Sequence, residues 1–138
     1  MVGLSGVATL GGLSGADSIC QTRAAAASLG GTWKAVLSSG STSAGSRLSV
    51  SGPVYNLRPS ASGGRQLVAT NSAVFWSSSH SNAISYDEFG SAVTGGVYTG
   101  TDTSGAIASG GSCSGWTDGT SGNWGAYGVV TASDYSWV

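Results

Sequence analysis

The stretch SCSGWTDGTSGNWGAYG, residues 112–128, holds a cysteine, two tryptophans, a tyrosine, a carboxamide and a carboxylate among glycine and serine. Three readings draw on that set: metal ligation at Asp118, ligand contact through Asn123, Trp124 and Tyr127, or a spacer held by a few buried anchors. Trp124 is the most open case, because GTSGNWGAYG flanks it with small residues that cannot cover an indole. An uncovered indole beside Asn123 and Tyr127 can stack on a sugar face or fill a partner's pocket. The alternative is that Trp124 folds back and pins its own loop. Trp33 and Trp76 sit in strand-like apolar surroundings and read as core.

Catalytic chemistry finds little to work with. His80, the single histidine, lies in SSSHSN with Asp87 seven residues on. A Ser–His–Asp constellation is recognised by geometry, and serine is too abundant here for proximity to signify; His80 reads as an exposed loop residue. Asp87 and Glu88 are adjacent, so in a strand they face opposite ways, unlike an opposed acid/base pair. No nucleophile elbow and no phosphate-binding loop followed by lysine is present. The chain reads as non-enzymatic. Zinc lacks a closed ligand set, with one histidine and two distant cysteines. Calcium takes roughly six to eight oxygen ligands. Asp118 in WTDG, with Asp87 and Glu88, is the nearest approach to such a set, and these read as turn and surface carboxylates. No cofactor is expected.

The residues that must position this loop belong to a chain of 138 residues, enough for one domain with a single core. Charged residues make up 8%, against roughly 25% in ordinary soluble chains, so solubility rests on hydroxyls and exposed backbone. Glycine and serine in this abundance can prevent folding. The five Trp, five Tyr and two Phe recur along the whole chain, however, and supply core material. Net charge is −1 and no basic cluster exists, which removes the phosphate-neutralising drive toward nucleic acid. No apolar run approaches the ~20 residues of a membrane span. The opening MVGLSGVATLGG lacks a positively charged start and is a poor secretory signal. Low charge and many hydroxyls suit an outside-facing protein. The expectation is then an excised domain, another export route, or a virion protein released by lysis.

Ser14 is placed to cap a helix with Asp17 near capping-box spacing, and the helix is expected over ADSICQTRAAAASL, with Ile19, Cys20, Ala24 and Ala27 inward and Gln21 and Arg23 nearer solvent. Gly30 and Gly31 stop it. TWKAVLS reads as a strand with Trp33, Ala35 and Leu37 on one face and Lys34 and Val36 on the other. TSAGSRLSV holds a short second helical turn. VYNLR, RQLVA, GVYTGT and YGVVTA read as strands, AVFW as a further apolar piece, and AISYDEFG as a short edge strand, while AIA can pair locally. The fold class is α+β.

Several of these segments carry a resemblance. LGGLSGADSICQTRAAAASLGGTWKAVLS resembles the opening of a bacterial lectin-like domain family of uncharacterised function, and also that of the endostatin domain of collagens, at Gly15, Ala16, Asp17, Cys20, Gly31, Thr32, Trp33, Ala35 and Leu37. DEFGSAVTGGVYTGT, SCSGWTDGTSGNWG and ASDYSW are similar to later family segments in the same order. The resemblance implies a C-type-lectin-like fold: one main N-terminal helix, a short second helix, a small twisted, mostly antiparallel sheet and long loops. It also implies that Trp116 is a buried anchor. The sugar-binding calcium motifs of many C-type lectins are absent. Family members usually continue into a last strand with cysteines that would pair with the equivalents of Cys20 and Cys113, and this chain stops before it. Either Cys20 and Cys113 pair with each other, or both remain thiols.

Together these readings give a single domain over residues 1–138, a recognition module displayed on a cell or virion surface. It would bind glycan or a surface protein through Asp118, Asn123, Trp124 and Tyr127. The alternative is a structural subunit of a virion or filament, a homo-oligomer using the same surfaces for subunit contacts.

Overall fold

A computed structural model describes residues 9–60, 63–109, 111–120 and 122–138. Helix α1 spans Gly12–Ala26, starting ahead of the expected Ala16, with Gly11 rather than Ser14 at its cap. The reason is a close backbone crossing. A Cβ at position 15 would lie 2.0 Å from the Leu10 carbonyl oxygen, so Gly15 allows the chain to fold over itself and begin the helix early. Its end also differs from expectation. Ser28 takes the left-handed conformation, φ 56°. Its N–H donates to Ala25 C=O at 3.0 Å, and that of Leu29 to Ala24 C=O at 2.9 Å, a Schellman closure completed before Gly30 is reached.

The TWKAVLS segment is extended but belongs to no ladder. Its apolar residues alternate as expected, and both faces are used. Ala35 and Leu37 pack with Ala16, Cys113 and Trp116, whereas Val36 joins a second cluster around Val68, Ala69, Phe75 and Trp137. Backbone groups so placed need partners; Ser38 N–H donates to Thr99 C=O at 2.9 Å, and side chains supply others. Gln21 Oε1 accepts from Trp33 N–H at 3.0 Å, and Asp17 Oδ1 accepts from Ala35 N–H at 2.9 Å. Arg47 Nη1 donates to Ala35 C=O at 2.6 Å, and Trp116 Nε1 to Ser38 C=O at 2.8 Å. Asp17 and Gln21, expected at a cap and near solvent, instead stitch α1 to this segment.

Helix α2 (Ala44–Arg47) follows, capped by Ser43, whose side chain accepts from Ser46 N–H. Strands β1 (Val54–Asn56) and β2 (Gln66–Ala69) pair antiparallel, with a register shift between Val54 and Tyr55. AVFW turns out to be helical: α3 covers Ser72–Phe75 because Asn71 caps it, accepting from Val74 N–H at 3.0 Å. AISYDEFG contributes only a single bridge, Tyr86 to Ala92, and AIA another, Ile107 to Thr101. Strand β3 (Gly96–Tyr98) pairs antiparallel with β4 (Tyr127–Val129). Between them lies the turn α4 (Cys113–Trp116), and after β4 a final 3-10 turn covers Tyr135–Trp137, capped by Asp134.

The described residues thus form a small mixture of α and β: four helices, three of them single turns, and two separate two-stranded antiparallel sheets where one small sheet was expected. No helix among the described residues is long and apolar enough to cross a membrane. Trp137 is buried, and Trp33 and Trp76 are half-buried. His80 departs furthest from expectation. It is buried against Phe75 and Trp137, with ring centroids 5.7 and 4.5 Å away, and its Nε2 lies 2.9 Å from Phe75 C=O. The neighbouring serines conceal this in the sequence; Phe75 is near in the chain, but the other aromatic wall, Trp137, comes from its far end.

Candidate functional site

The expected loop leaves the core at Cys113. Cys113, Ser114, Gly115 and Trp116 have φ of 47°, 52°, 74° and 66°, four successive residues on the left-handed side of the map. For an L-residue that conformation costs roughly 1–2 kcal/mol, so the turn must be held from outside. Trp116 is fully buried and anchors it through its indole N–H to Ser38 C=O. Backbone bonds complete the clamp: Leu10 N–H to Trp116 C=O at 2.7 Å, and Cys113 N–H to Trp124 C=O at 3.0 Å. Beneath it, Ser38, Thr99 and Thr101 form a buried hydroxyl knot, with Ser38 Oγ 2.9 Å from Thr101 Oγ1. Trp116 is the scaffold the resemblance implied.

Above this base the four candidate residues divide. Asp118 accepts from Thr120 N–H through Oδ1 at 2.9 Å and from Asn123 Nδ2 through Oδ2 at 2.7 Å. Asn123 Oδ1 accepts from Ser114 Oγ at 3.1 Å. The Thr120 backbone N–H and hydroxyl hold the Asp118 carboxyl below the usual carboxylate range. Both polar candidates are therefore occupied in bracing their own loop. The aromatic candidates project: Trp124 is 80% and Tyr127 64% exposed. Trp124 does not fold back. Tyr98, 41% exposed, adds a third ring whose centroid lies 6.3 Å from that of Tyr127, edge to face. Cross-strand pairing makes this contact, since Tyr98 and Tyr127 are register partners in β3 and β4. Gly125 permits it. A Cβ there would meet Cys113 Sγ at 2.9 Å and the Tyr98 ring at 3.2 Å.

The two cysteines are free. Of the alternatives open from sequence, the thiols stand, and the Cys20–Cys113 bridge is corrected. Cys113 packs in the cluster around Ala16, one helical turn before Cys20, while Cys20 lines a cavity that Cys113 does not reach. Burial pushes both thiols above the ordinary cysteine range, with the Asp118 charge adding to the effect at Cys113. Among the described residues no three of His, Cys, Asp and Glu converge as a metal would require. Asp87 is committed to its own turn, accepting from Phe89 N–H at 3.0 Å and Ser91 N–H at 2.8 Å.

A second feature escaped the sequence. A cavity of about 280 Å³, open on one side, lies between α1, the TWKAVLS segment, β1, Ile84–Glu88 and β3. Ile19, Cys20, Val36, Leu57 and Ile84 line it and are only half-buried because they face it. A closed, empty apolar void of that size would cost on the order of 7 kcal/mol; the open side admits water and lowers this. One carboxylate sits in the wall. The Glu88 side chain is 6% exposed and lies against Arg23 Nε, whose side chain reaches the rim. Neither carboxylate oxygen has a directional hydrogen bond among the described residues. No sequence signal marked Glu88, which follows Asp87 in what reads as a surface pair.

A family profile described as "Protein of unknown function (DUF1554)" matches residues 5–133. The chain belongs to this family. The match takes in α1, both sheets and the loop that carries the exposed aromatics, so the architecture described above is that of a DUF1554 domain. No curated protein sequence matches the chain.

Proposed function

We propose that this DUF1554 domain is a non-enzymatic recognition module, displayed on a cell or virion surface, that binds glycan or a surface protein through the 113–127 loop. The observation that carries the reading is Trp124, a tryptophan 80% exposed on a loop braced by the side chains of Ser114, Asp118 and Asn123. A large ring left in water on a braced support is pre-organised to stack or insert, since little further entropy is lost on binding. Tyr127 and Tyr98 extend the apolar face, so the ligand contact is aromatic, with Asp118 and Asn123 positioning it. The finer fold reading, a C-type-lectin-like domain, belongs to the same proposal. It is supported by the order of the Gly15–Asp17, Cys113–Trp116 and Asp134–Trp137 segments around a single long N-terminal helix.

A glycan array and a cell-adhesion assay, each with and without chelator, test the reading. Trp124→Ala is expected to lower binding by about tenfold or more with unchanged thermal unfolding. Blank arrays and adhesion indifferent to Trp124→Ala would sink it. The second reading, a virion or filament subunit, draws on Phe89 and Tyr135, which lie outside the loop in sequence and are 58% and 72% exposed. Light scattering distinguishes the two: a stable monomer counts against the subunit.

A further inference from the structure

We propose that the cavity beside α1 is a binding site, separate from the aromatic loop, for a small neutral amphiphile. Its ligand has an aromatic or branched alkyl body of about ten heavy atoms and one hydroxyl that donates to Glu88. Size follows from volume: an apolar cavity of ~150 Å³ accommodates benzene, and this one measures about 280 Å³. Chemistry follows from the wall. Ile19, Val36, Leu57, Ile84 and Val97 make most of the wall apolar, with Lys34, Asn56 and Tyr86 also lining it, so the body of the ligand is mainly apolar. Glu88 is buried, its Oε1 in an ion pair with Arg23 and its Oε2 without a partner among the described residues, and a buried acceptor gains most from a ligand that donates to it. The ligand's charge follows from Arg23, which already neutralises Glu88, so a second cation has nothing to balance. Glu88 thus fixes orientation while the apolar walls supply affinity, the division usual in small-molecule sites.

Titration of the full chain with para-propylphenol and with propylbenzene, followed by methyl-resolved NMR, tests the site. The phenol is expected to shift the Ile19, Val36 and Ile84 methyls saturably, with a dissociation constant on the order of 0.1 mM. Propylbenzene, which lacks the donor, should bind about tenfold more weakly. Glu88→Met should abolish the difference between the probes. Cys20→Phe, which fills the space from α1, should abolish binding of both and serves where Glu88→Met does not fold. Trp124→Ala should leave both affinities unchanged. Still methyls in the wild type would overturn the proposal, as would a preference for phenol that survives Glu88→Met, or unchanged affinity in Cys20→Phe. Loss of binding in Trp124→Ala would place the probe on the loop and overturn it equally.

Discussion

Asp17→Asn is the sharpest perturbation of this fold, because it changes one charge and almost no volume. The Asp17 carboxylate joins three elements. Its Oδ1 accepts from Ala35 N–H at 2.9 Å, its Oδ2 accepts from Arg47 Nη2 at 2.6 Å, and Arg47 Nη1 closes the ring on Ala35 C=O at 2.6 Å. The two side chains are 26% and 11% exposed, respectively. Asparagine can keep the Ala35 bond through its own Oδ1, but its amide then turns an N–H₂ toward the guanidinium. Arg47 is left nearly buried without a counter-charge. Breaking a fully buried pair costs roughly 3–5 kcal/mol and an exposed one about 0–1 kcal/mol. Asp17's partial exposure places the loss near 2–3 kcal/mol. Urea unfolding followed by tryptophan fluorescence should show a lower midpoint with an unchanged slope. Arg47→Met in the Asp17→Asn background should cost less than in the wild type, giving a coupling of about 1–2 kcal/mol. A loss under about 0.5 kcal/mol, or additive single changes, would refute the claim that this ring fastens α1 to the TWKAVLS segment.

Four further outcomes are expected. Ser28→Gly should raise stability by about 1 kcal/mol, because Ser28 holds a left-handed φ at the helix end where glycine carries no penalty; a decrease would contradict the Schellman assignment. Trp116→Phe should cost about 2–4 kcal/mol by orphaning the Ser38 carbonyl and leaving a gap in the core, measurable in the same urea assay; a change within experimental error would refute the anchor. Without reductant, denatured protein should titrate as two thiols, and folded protein at pH 8 should react more slowly, since burial raises both thiol pKa values; finding none in denaturant would restore the Cys20–Cys113 bridge. The Ser104 hydroxyl is the main cause holding Asp102 below the usual carboxylate range. The stabilisation from Asp102 is therefore present above its unfolded pKa, about 3.9, and fades as pH falls through the lower folded value. Asp102→Asn should flatten the stability profile below about pH 4, and superimposable profiles would show that the bonds to Ser104 and Ala106 carry no net stability.

Local signals carried much of the architecture. Helix α1, the second helical turn and the four strands among the described residues were legible because they rest on nearby features such as an alanine-rich run and β-branched or aromatic residues between turn residues. Errors fell where a nearby signal competed with a distant one. The TWKAVLS alternation matches the structure, but no ladder forms there; Asp17, Gln21, Arg47 and Trp116 take four of the backbone groups and Thr99 C=O a fifth. AVFW read as apolar and extended, yet the Asn71 cap tipped it into a helical turn. Trp124 could be read as open from its small neighbours, whereas its support by Asp118 and Asn123 could not.

By itself the sequence determined the inventory: which segments could be helical or extended, that the chain had aromatic material for a core, and that one loop carried an indole its neighbours could not cover. Those properties depend on residues a few positions apart, which share a helix turn, a strand face or a cap. Tertiary structure alone decided that His80 and Glu88 are inside, that the thiols stay apart, that a left-handed turn supports the loop, and that an apolar cavity opens beside α1. Each of those depends on what the rest of the chain brings alongside. Burial, unlike helix or strand propensity, is decided by groups as distant as Trp137, whose ring centroid lies 4.5 Å from that of His80, and no window of neighbouring residues contains it.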